Sequence, residues 1–482
     1  MSYTTRLPDF TKYFPISRRV NDIAKMIPNI NGAYPQKSKY VNMQHYYQNR
    51  DVLLPYVLNK QPHPVSLKQL ALYYDDDRAF TSSKIIQSAN FVRNEIIIRI
   101  AHTIFKLQNL PFELVNNYHL VQVYESYYDI FDRFRRLPEI KSLQDNDKFV
   151  EFANGILSDY NVLNLPHLIM GALESRILNL FPQAEMDELL SELLRARISR
   201  RLMVEEHLSL TSNFSHGREK NRIVFGDIFK TCNAKEYLLN ASKMCEDFVK
   251  IEYGPTATLP DFIIEGDDDL SFFFLPGHLT YLLGEILRNS YEATIKEAIR
   301  KGLHKPDRIK VTIVRNEQSH IFRISDRGGG VVFNHNATDS LNLWSFGKSV
   351  DLAKKSLDNF HKLPEFQSDN IYEARRMLAN GDNGINSINS KTTFENTSLS
   401  NMIEGNLGNK GNFYNKYESS LIDMLKRLPR YKLGVGLALC KVYADYWNGD
   451  LNVHSIDGYG TDTVLKLGNL MYLTDKLQLD KV

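Results

Sequence analysis

The chain has 482 residues, of which 43% are hydrophobic and 24% charged, and its formal net charge is +2. That length holds two or three cores, and that balance excludes a disordered chain and gives no basic field to recruit nucleic acid or an anionic membrane. Cys232, Cys245 and Cys440 are widely spaced and odd in number, so they match neither a disulfide framework nor a zinc site, and a reducing compartment is the easier reading. No apolar run approaches the roughly 20 residues needed to span a bilayer.

The first residues carry Arg6, Lys12, Arg18, Arg19 and Lys25 against Asp9 and Asp22, with several hydroxyls. This composition suits a mitochondrial presequence only moderately, because good ones are poorer in acids, and it suits a basic tail about as well. Residues 1–60 show no sustained period and are interrupted by Pro8, Pro15, Pro28, Pro35 and Pro55. Regular helices are expected from Ser66, a plausible N-cap of SLKQLALYY. Helical periodicity continues over Ser83–Leu107, Phe112–Arg136, Asp147–Leu157, Pro166–Leu180 and Glu185–Leu208. Long helices with short connections predict a bundle over residues 61–215. Its histidines His102, His119, His167 and His207 read as core or surface residues rather than phosphate carriers.

After about Asn213 the pattern changes. Glu236–Tyr253 reads as a helix, Asp261–Glu265 as a short strand, and Pro276 opens a helix running to about Gly302. Arg308–Val314 and His320–Ser325 alternate as strands around the turn Asn316–Ser319. Tyr431–Trp447 reads as a helix, and Leu451–Ile456 pairs with Thr461–Leu467 across Asp457–Gly460. Helices on one face of a mixed sheet predict an α+β layer over residues 216–470, followed by a tail at 471–482. Within it, about 355–425 is rich in Asn, Ser and Gly and reads as an insertion beside the site.

The chemistry is concentrated around LLGEILRNSYEA, Leu282–Ala293. At 3.6 residues per turn Glu285 and Asn289 share a face, one turn apart. The amide oxygen can ligate Mg²⁺, and the carboxylate can accept a proton from an attacking hydroxyl. ExxxN alone is a weak signal, since such pairs are common as solvated turns. Three glycine clusters follow it. Asp326-Arg-Gly328-Gly329-Gly330 lies directly after a strand, where a buried Asp can accept an adenine amine. Gly434-Val-Gly436-Leu437 opens a helix whose free N–H groups can hold phosphate oxygens. Gly458-Tyr-Gly460-Thr461 sits between the last two strands, with Thr461 placed to hydrogen-bond near a base. Each cluster alone reads first as a turn or cap. The order ExxxN, DxGxG, GxG at a helix start, GxGT is far harder to reach by accident.

That ordered set resembles the Bergerat nucleotide fold of chaperone, topoisomerase, mismatch-repair and histidine-kinase ATPases. ISDRGGGV (Ile324–Val331), GVGLALCKVYADYWNGDL (Gly434–Leu451) and GYGTD (Gly458–Asp462) narrow the resemblance to the mitochondrial kinases of pyruvate and branched-chain α-ketoacid dehydrogenase. PVSLKQL (Pro64–Leu70), RNEIIIRIAHTIFKLQNLP (Arg93–Pro111) and RISRRLM (Arg197–Met203) resemble that family's bundle.

The resemblance implies ATP and Mg²⁺ as cofactors. Asn289 would hold the metal, and Glu285 would be the general base for a serine hydroxyl. Asp326 would read adenine, with Gly328 and Gly330 shaping the pocket wall. Gly434, Gly436 and Leu437 would close on the phosphates, and Thr461 would support the base. It further implies the E1α subunit as target, a lipoyl-bearing E2 core as partner, a homodimer or a heteromer with a paralogue, and the mitochondrial matrix as location. Neither nucleic acid nor a membrane span is expected.

Departures accompany it. Glu292 stands where many members carry an Arg for phosphate, with Arg288, Lys296 or Lys348 as candidate compensators. Tyr281 replaces a common His beside Glu285. Tyr160 occupies the position matching an H-box, which argues against a phosphohistidine relay there. No Asp-Trp pair follows Trp447, which casts doubt on a tail-exchange dimer and on lipoyl-domain docking. A branched-chain complex as substrate, and a weakly active regulatory subunit working with a paralogous kinase, are the alternatives to a pyruvate dehydrogenase kinase.

Overall fold

The structure is a computed structural model and describes residues 43–71, 81–115, 117–216, 228–331, 343–363, 419–474 and 476–479. The N-terminal basic segment and most of the Asn-rich insertion, both singled out from the sequence, lie outside the described residues. The chain divides into two compact units.

The first unit contains residues 1–63, 82–207 and 346–383. Its described helices are α1 (Met43–Asn59), α3 (Ser82–Gln108), α4 (Phe112–Val115), α5 (Tyr118–Arg135), α6 (Leu143–Leu178), α7 (Gln183–His216, to His207 in this unit) and α10 (Val350–His361). On α3 the buried residues Ile85, Ala89, Val92, Ile96 and Ile100 recur every three to four positions, the stripe a bundle helix needs. Three departures from the expected elements have local causes. Helix α1 forms with Pro55 inside it. The segments expected at Asp147–Leu157 and Pro166–Leu180 are one helix, α6, which starts at a Ser142–Asp145 capping box and runs through Pro166. A proline removes one backbone bond and kinks a helix, but α6 continues past it, with Leu165, Leu168 and Ile169 buried around it. In contrast, Phe112–Arg136 is interrupted, because Asn117 caps a new helix by accepting from the N–H groups of His119 and Leu120.

The second unit contains residues 64–81, 208–345 and 384–482. Its five-stranded sheet has the order β2-β4-β5-β7-β6. The strands are β2 (Phe262–Gly266), β4 (Ile309–Arg315), β5 (Ser319–Asp326), β6 (Asp450–Ile456) and β7 (Gly460–Gly468). Strand β2 runs parallel to β4 and the remaining pairs are antiparallel, so the sheet is mixed. Ile309, Val311 and Ile313 of β4 alternate inward. A separate two-stranded sheet, β1 (Lys230–Asn233) with β3 (Ser271–Phe274), has no counterpart in the sequence reading. Helices α8 (Ala234–Tyr253), α9 (Pro276–Lys301), α11 (Ser419–Lys426), α12 (Gly436–Tyr446) and the short α13 (Leu470–Leu473) complete the layer. Helix α9 begins with Pro276 in its first turn and ends at Gly302 in the left-handed conformation.

Two expected boundaries shift. The short helix α2 (Leu67–Ala71), expected in the bundle, belongs to this unit because its flank pairs with the C-terminal tail. There the Leu67 N–H donates to the Leu477 carbonyl at 2.9 Å and the Leu479 N–H to the Val65 carbonyl at 2.8 Å. The helix expected from Tyr431 begins five residues later, at Gly436, because Gly434 adopts a positive φ of 72°. The three cysteines are buried and free. Among the described residues no helix is long and apolar enough to cross a membrane.

Candidate active site

The site grows from α9. Leu279, Leu282, Leu283, Ile286 and Leu287 are buried, which fixes the helix's rotation. That rotation leaves Asn289 exposed, Glu292 half-buried and Lys296 exposed on a neighbouring stripe, while Glu285 is 1% exposed. Glu285 and Asn289 therefore lie one turn apart as expected, yet in different surroundings. The amide is open to solvent, whereas the carboxylate is enclosed.

What encloses Glu285 is an arginine that the sequence reading missed. Arg427, just past α11, reaches both carboxylate oxygens: Nη1 pairs with Oε1, and Nη2 donates to Oε2 at 3.0 Å. The same guanidinium donates from Nη1 to the Met424 carbonyl and from Nε to the Tyr431 carbonyl at 3.1 Å. A bidentate, charge-assisted pair of this kind is the strong form of an ion pair. On the other side, a Cβ built on Gly436 would stand 2.3 Å from Glu285 Oε2, so only glycine lets the first turn of α12 come this close. Leu437 is half-buried in the same turn. Val435, at the start of α12, supplies no side-chain cap, and the first N–H groups there rely on other acceptors. Tyr281 is fully enclosed in this core, and burial followed by the Glu285 charge pushes its phenol well above the usual range. It is a neutral neighbour of the carboxylate.

Asp326 ends β5 and sits opposite Thr461 in the β5–β7 register. Burial raises its carboxyl pKa, opposed by hydrogen bonds from the Gly328 N–H, the Ser290 hydroxyl and the Thr461 N–H. The Gly328 bond is 2.9 Å long. A carboxylate has about four acceptor positions, so three donors leave one for a further amine. Ser290, next to Asn289, was not anticipated, since a serine inside a helix gives no signal of its partner.

The glycines serve the protein's own packing. A Cβ on Gly328 would lie 2.5 Å from the Ala293 Cβ, one on Gly330 2.3 Å from the Ile456 carbonyl, and one on Gly460 2.1 Å from the Asp326 carbonyl. The loop after β5 is also tied to the β6–β7 turn. The Gly458 N–H donates to the Gly329 carbonyl at 2.8 Å, and the Val331 N–H donates to Ser455 Oγ at 2.6 Å.

Glu292 is offset locally. Lys432 lies 2.6 Å from Glu292 Oε1, and Lys296 pairs with the same oxygen. Burial alone would raise the Glu292 carboxyl, but the two lysines hold it below the usual carboxylate range. Of the three expected compensators, Lys296 is thus engaged here. Arg288 is turned into the core, with Nη1 donating to the Leu425 carbonyl at 2.9 Å and its guanidinium 4.9 Å from the Phe248 ring centre; burial pulls it down to about 10. Lys348 stands in the other unit, before the Ser349 cap of α10, at φ 35°. Lys432 was missed, two residues ahead of Gly434.

In the helical unit His119, His167 and His207 are buried, and His119 Nδ1 and His167 Nδ1 share a hydrogen bond at 2.7 Å. Tyr160 lies within α6. Trp447 is fully buried and donates to His278 Nδ1 at 3.0 Å. Among the described residues no cluster of His, Cys, Asp and Glu could hold a metal by itself.

A mixed sheet, a long helix carrying Glu285 and Asn289, and Asp326 facing Thr461 on adjoining strands define a nucleotide-binding domain of the Bergerat type. Residues 64–229 match the family model described as mitochondrial branched-chain alpha-ketoacid dehydrogenase kinase. The chain is 54% identical, over 100% of its length and 96% of the relative's, to a Saccharomyces cerevisiae protein named mitochondrial pyruvate dehydrogenase (acetyl-transferring) kinase 2. It is 23% identical, over 81% of its length and 87% of the relative's, to the mitochondrial pyruvate dehydrogenase kinase of Arabidopsis thaliana. It is also 23% identical, over 84% of its length and 81% of the relative's, to isozyme 4 from Rattus norvegicus. The chain belongs to the mitochondrial pyruvate dehydrogenase kinase family.

Proposed function

We propose that the chain is a mitochondrial protein serine kinase that phosphorylates the E1α subunit of the pyruvate dehydrogenase complex and so inactivates it, acting in the matrix. The observation that carries the substrate is the 54% identity along the whole chain to a yeast kinase named for that complex. The branched-chain reading rests on the name of a family model covering residues 64–229 and is the weaker one.

The residues fit Mg·ATP. Asn289 offers an exposed amide oxygen for the metal, Asp326 keeps one acceptor position for adenine, and the start of α12 presents N–H groups without a side-chain cap. When bound, Mg·ATP supplies the phosphoryl group and the charge that neutralises its oxygens. The chain's own task is positioning and proton transfer. Glu285 takes the proton of the serine hydroxyl, Ser290 orients Asp326, and Thr461 flanks the base. Lys432 and Lys296 outnumber Glu292 and leave that stretch of α9 net positive. Gly434, Gly436 and Leu437 let the start of α12 approach the phosphates. A lipoyl-bearing core and a second copy or a paralogue are the partners that go with this reading.

The test is transfer of labelled phosphate from Mg·ATP to serine of purified E1. Wild type should label pyruvate dehydrogenase E1 in preference to branched-chain E1, and Glu285→Gln should lose transfer while retaining nucleotide. An undiminished rate in that variant removes Glu285 from its role. A second reading, a regulatory subunit with little activity alone, is favoured by the Arg427 pair that covers Glu285. Labelling that appears only after a paralogous kinase is added would select it.

A further inference from the structure

The strap from Ser419 to Lys432 runs along one face of α9 in its middle turns. The Leu425 side chain covers Gly284, where a Cβ would stand 2.7 Å from Leu425 Cδ2. The Leu425 carbonyl accepts from Arg288 Nη1 at 2.9 Å. Lys432 lies 2.6 Å from Glu292. Gly284, Arg288 and Glu292 are spaced by four, so these contacts follow a single stripe of the helix. Arg427 enters beside that stripe and takes both oxygens of Glu285.

Every nitrogen of the Arg427 guanidinium is spent. Nη1 and Nη2 hold Glu285, Nη1 also reaches the Met424 carbonyl, and Nε reaches the Tyr431 carbonyl. The strap's own backbone thus aims the arginine. The residue is fully enclosed, and the Glu285 charge raises its pKa against the cost of burial. A general base must come within about 2.6–3.2 Å of the proton it abstracts. Glu285 is 1% exposed, with the guanidinium on both oxygens and Gly436 against Oε2. In this arrangement no substrate hydroxyl reaches it.

We propose that Arg427 is a built-in brake. The strap masks Glu285, and phosphoryl transfer proceeds only from the arrangement in which Arg427 has left the carboxylate. The inference rests on Glu285 being the base, so its test has to separate the two ideas. Lys432 gives the strap a second hold on α9 through Glu292, and release therefore costs two ion pairs rather than one.

The experiment compares initial rates of phosphate transfer to E1 at saturating Mg·ATP for wild type, Arg427→Gln, Glu285→Gln and the double variant. A fluorescent ATP analogue and a thermal melt report binding and folding. Arg427→Gln should raise kcat by about three- to tenfold, a change of tenfold being about 1.4 kcal/mol of barrier, with nucleotide affinity unchanged. Glu285→Gln and the double variant should both be inactive. A folded, nucleotide-binding Arg427→Gln with kcat at or below wild type overturns the brake and leaves the base standing. A fully active Glu285→Gln overturns the base, and the brake with it. Should Arg427→Gln fail to fold, hydrogen exchange on the wild-type protein decides. The amides of residues 424–432 should lose protection when E1 and a non-hydrolysable ATP analogue are added. Unchanged protection there in the presence of E1 and the analogue sinks the proposal.

Discussion

Both units bury ion pairs and neutral rings, but in different balance. In the helical unit the buried titratable groups include neutral rings: burial holds His207 and His361 at about 4, and burial with its two histidine neighbours holds His119 well below its usual value. The sheet unit has such a ring in His320, also held at about 4, and its enclosed pair Glu285 with Arg427 is ionic; the helical unit has a buried ion pair of its own, Glu95 with Arg99. Neutral rings contribute to a core as long as they stay neutral. A buried ion pair contributes little net stability, because desolvation offsets attraction, but losing one partner is costly. Three depressed histidines make the bundle the more pH-sensitive unit, and the Glu285–Arg427 pair makes the sheet unit sensitive to substitution at that site.

The largest effect expected from this contrast is on catalysis. Glu285→Gln should lower kcat by about 10²–10⁴-fold, the usual contribution of a general base. It should also lower stability, since Arg427 is left buried without a counter-charge. Adding Arg427→Gln removes that charge and should recover most of the melting temperature with none of the activity. If the double variant melts as low as the single one, the ion pair is not what the fold depends on.

Next is acid. A histidine whose folded pKa is depressed contributes its full stability above the unfolded value of about 6.5 and loses it as pH falls toward the folded value. His119, His207 and His361 all shift in that direction, the last two to about 4. Between pH 7.5 and 5.5 His207 and His361 together should cost on the order of 3 kcal/mol, with His119 acting in the same direction. Urea midpoints at the two pH values measure this. Coincident midpoints would mean that these rings titrate alike in the folded and unfolded chains, with no depression by burial.

A smaller effect is expected at Gly460. Its Cβ would meet the Asp326 carbonyl at 2.1 Å, so Gly460→Ala must push β7 from the end of β5. Overpacking of this kind costs about 1–3 kcal/mol. Because Thr461 and Asp326 move with it, ATP affinity should fall more than kcat. Equilibrium binding of an ATP analogue beside the transfer rate separates the two.

How much was legible in the sequence follows from the same contrast. Periodicity revealed α9, the strands β4 to β7 and the bundle, because a stripe of Ile or Leu is written locally. The motif order placed Glu285, Asn289, Asp326 and Thr461 in one domain. What stayed hidden depends on chain reversal. Arg427 comes 142 positions after Glu285. No spacing links it to a helix it meets only after an Asn-rich stretch. The pairing of Val65 and Leu67 with Leu479 and Leu477 joins the two ends of the unit and is equally silent. Pro166 misled for a different reason, since a single proline is a strong local signal that packing overrode in α6.

The smallest effect is the sharpest probe of the charged face. Glu292 replaces an arginine expected at phosphate, and a lone carboxylate there would repel a triphosphate. With Lys296 and Lys432 on the same oxygen the trio is net positive, one acid against two lysines. Glu292→Gln removes the acid and leaves both lysines, so the KM for Mg·ATP should fall rather than rise. Both lysines are half exposed, so the change should stay within about 1 kcal/mol, the range of partly solvated pairs. It should also fade in high salt, where the screening length shrinks to about 3 Å at 1 M. A KM that rises on neutralising Glu292 would mean that the lysines need the acid to aim them, making Glu292 an orienting group rather than a tolerated charge.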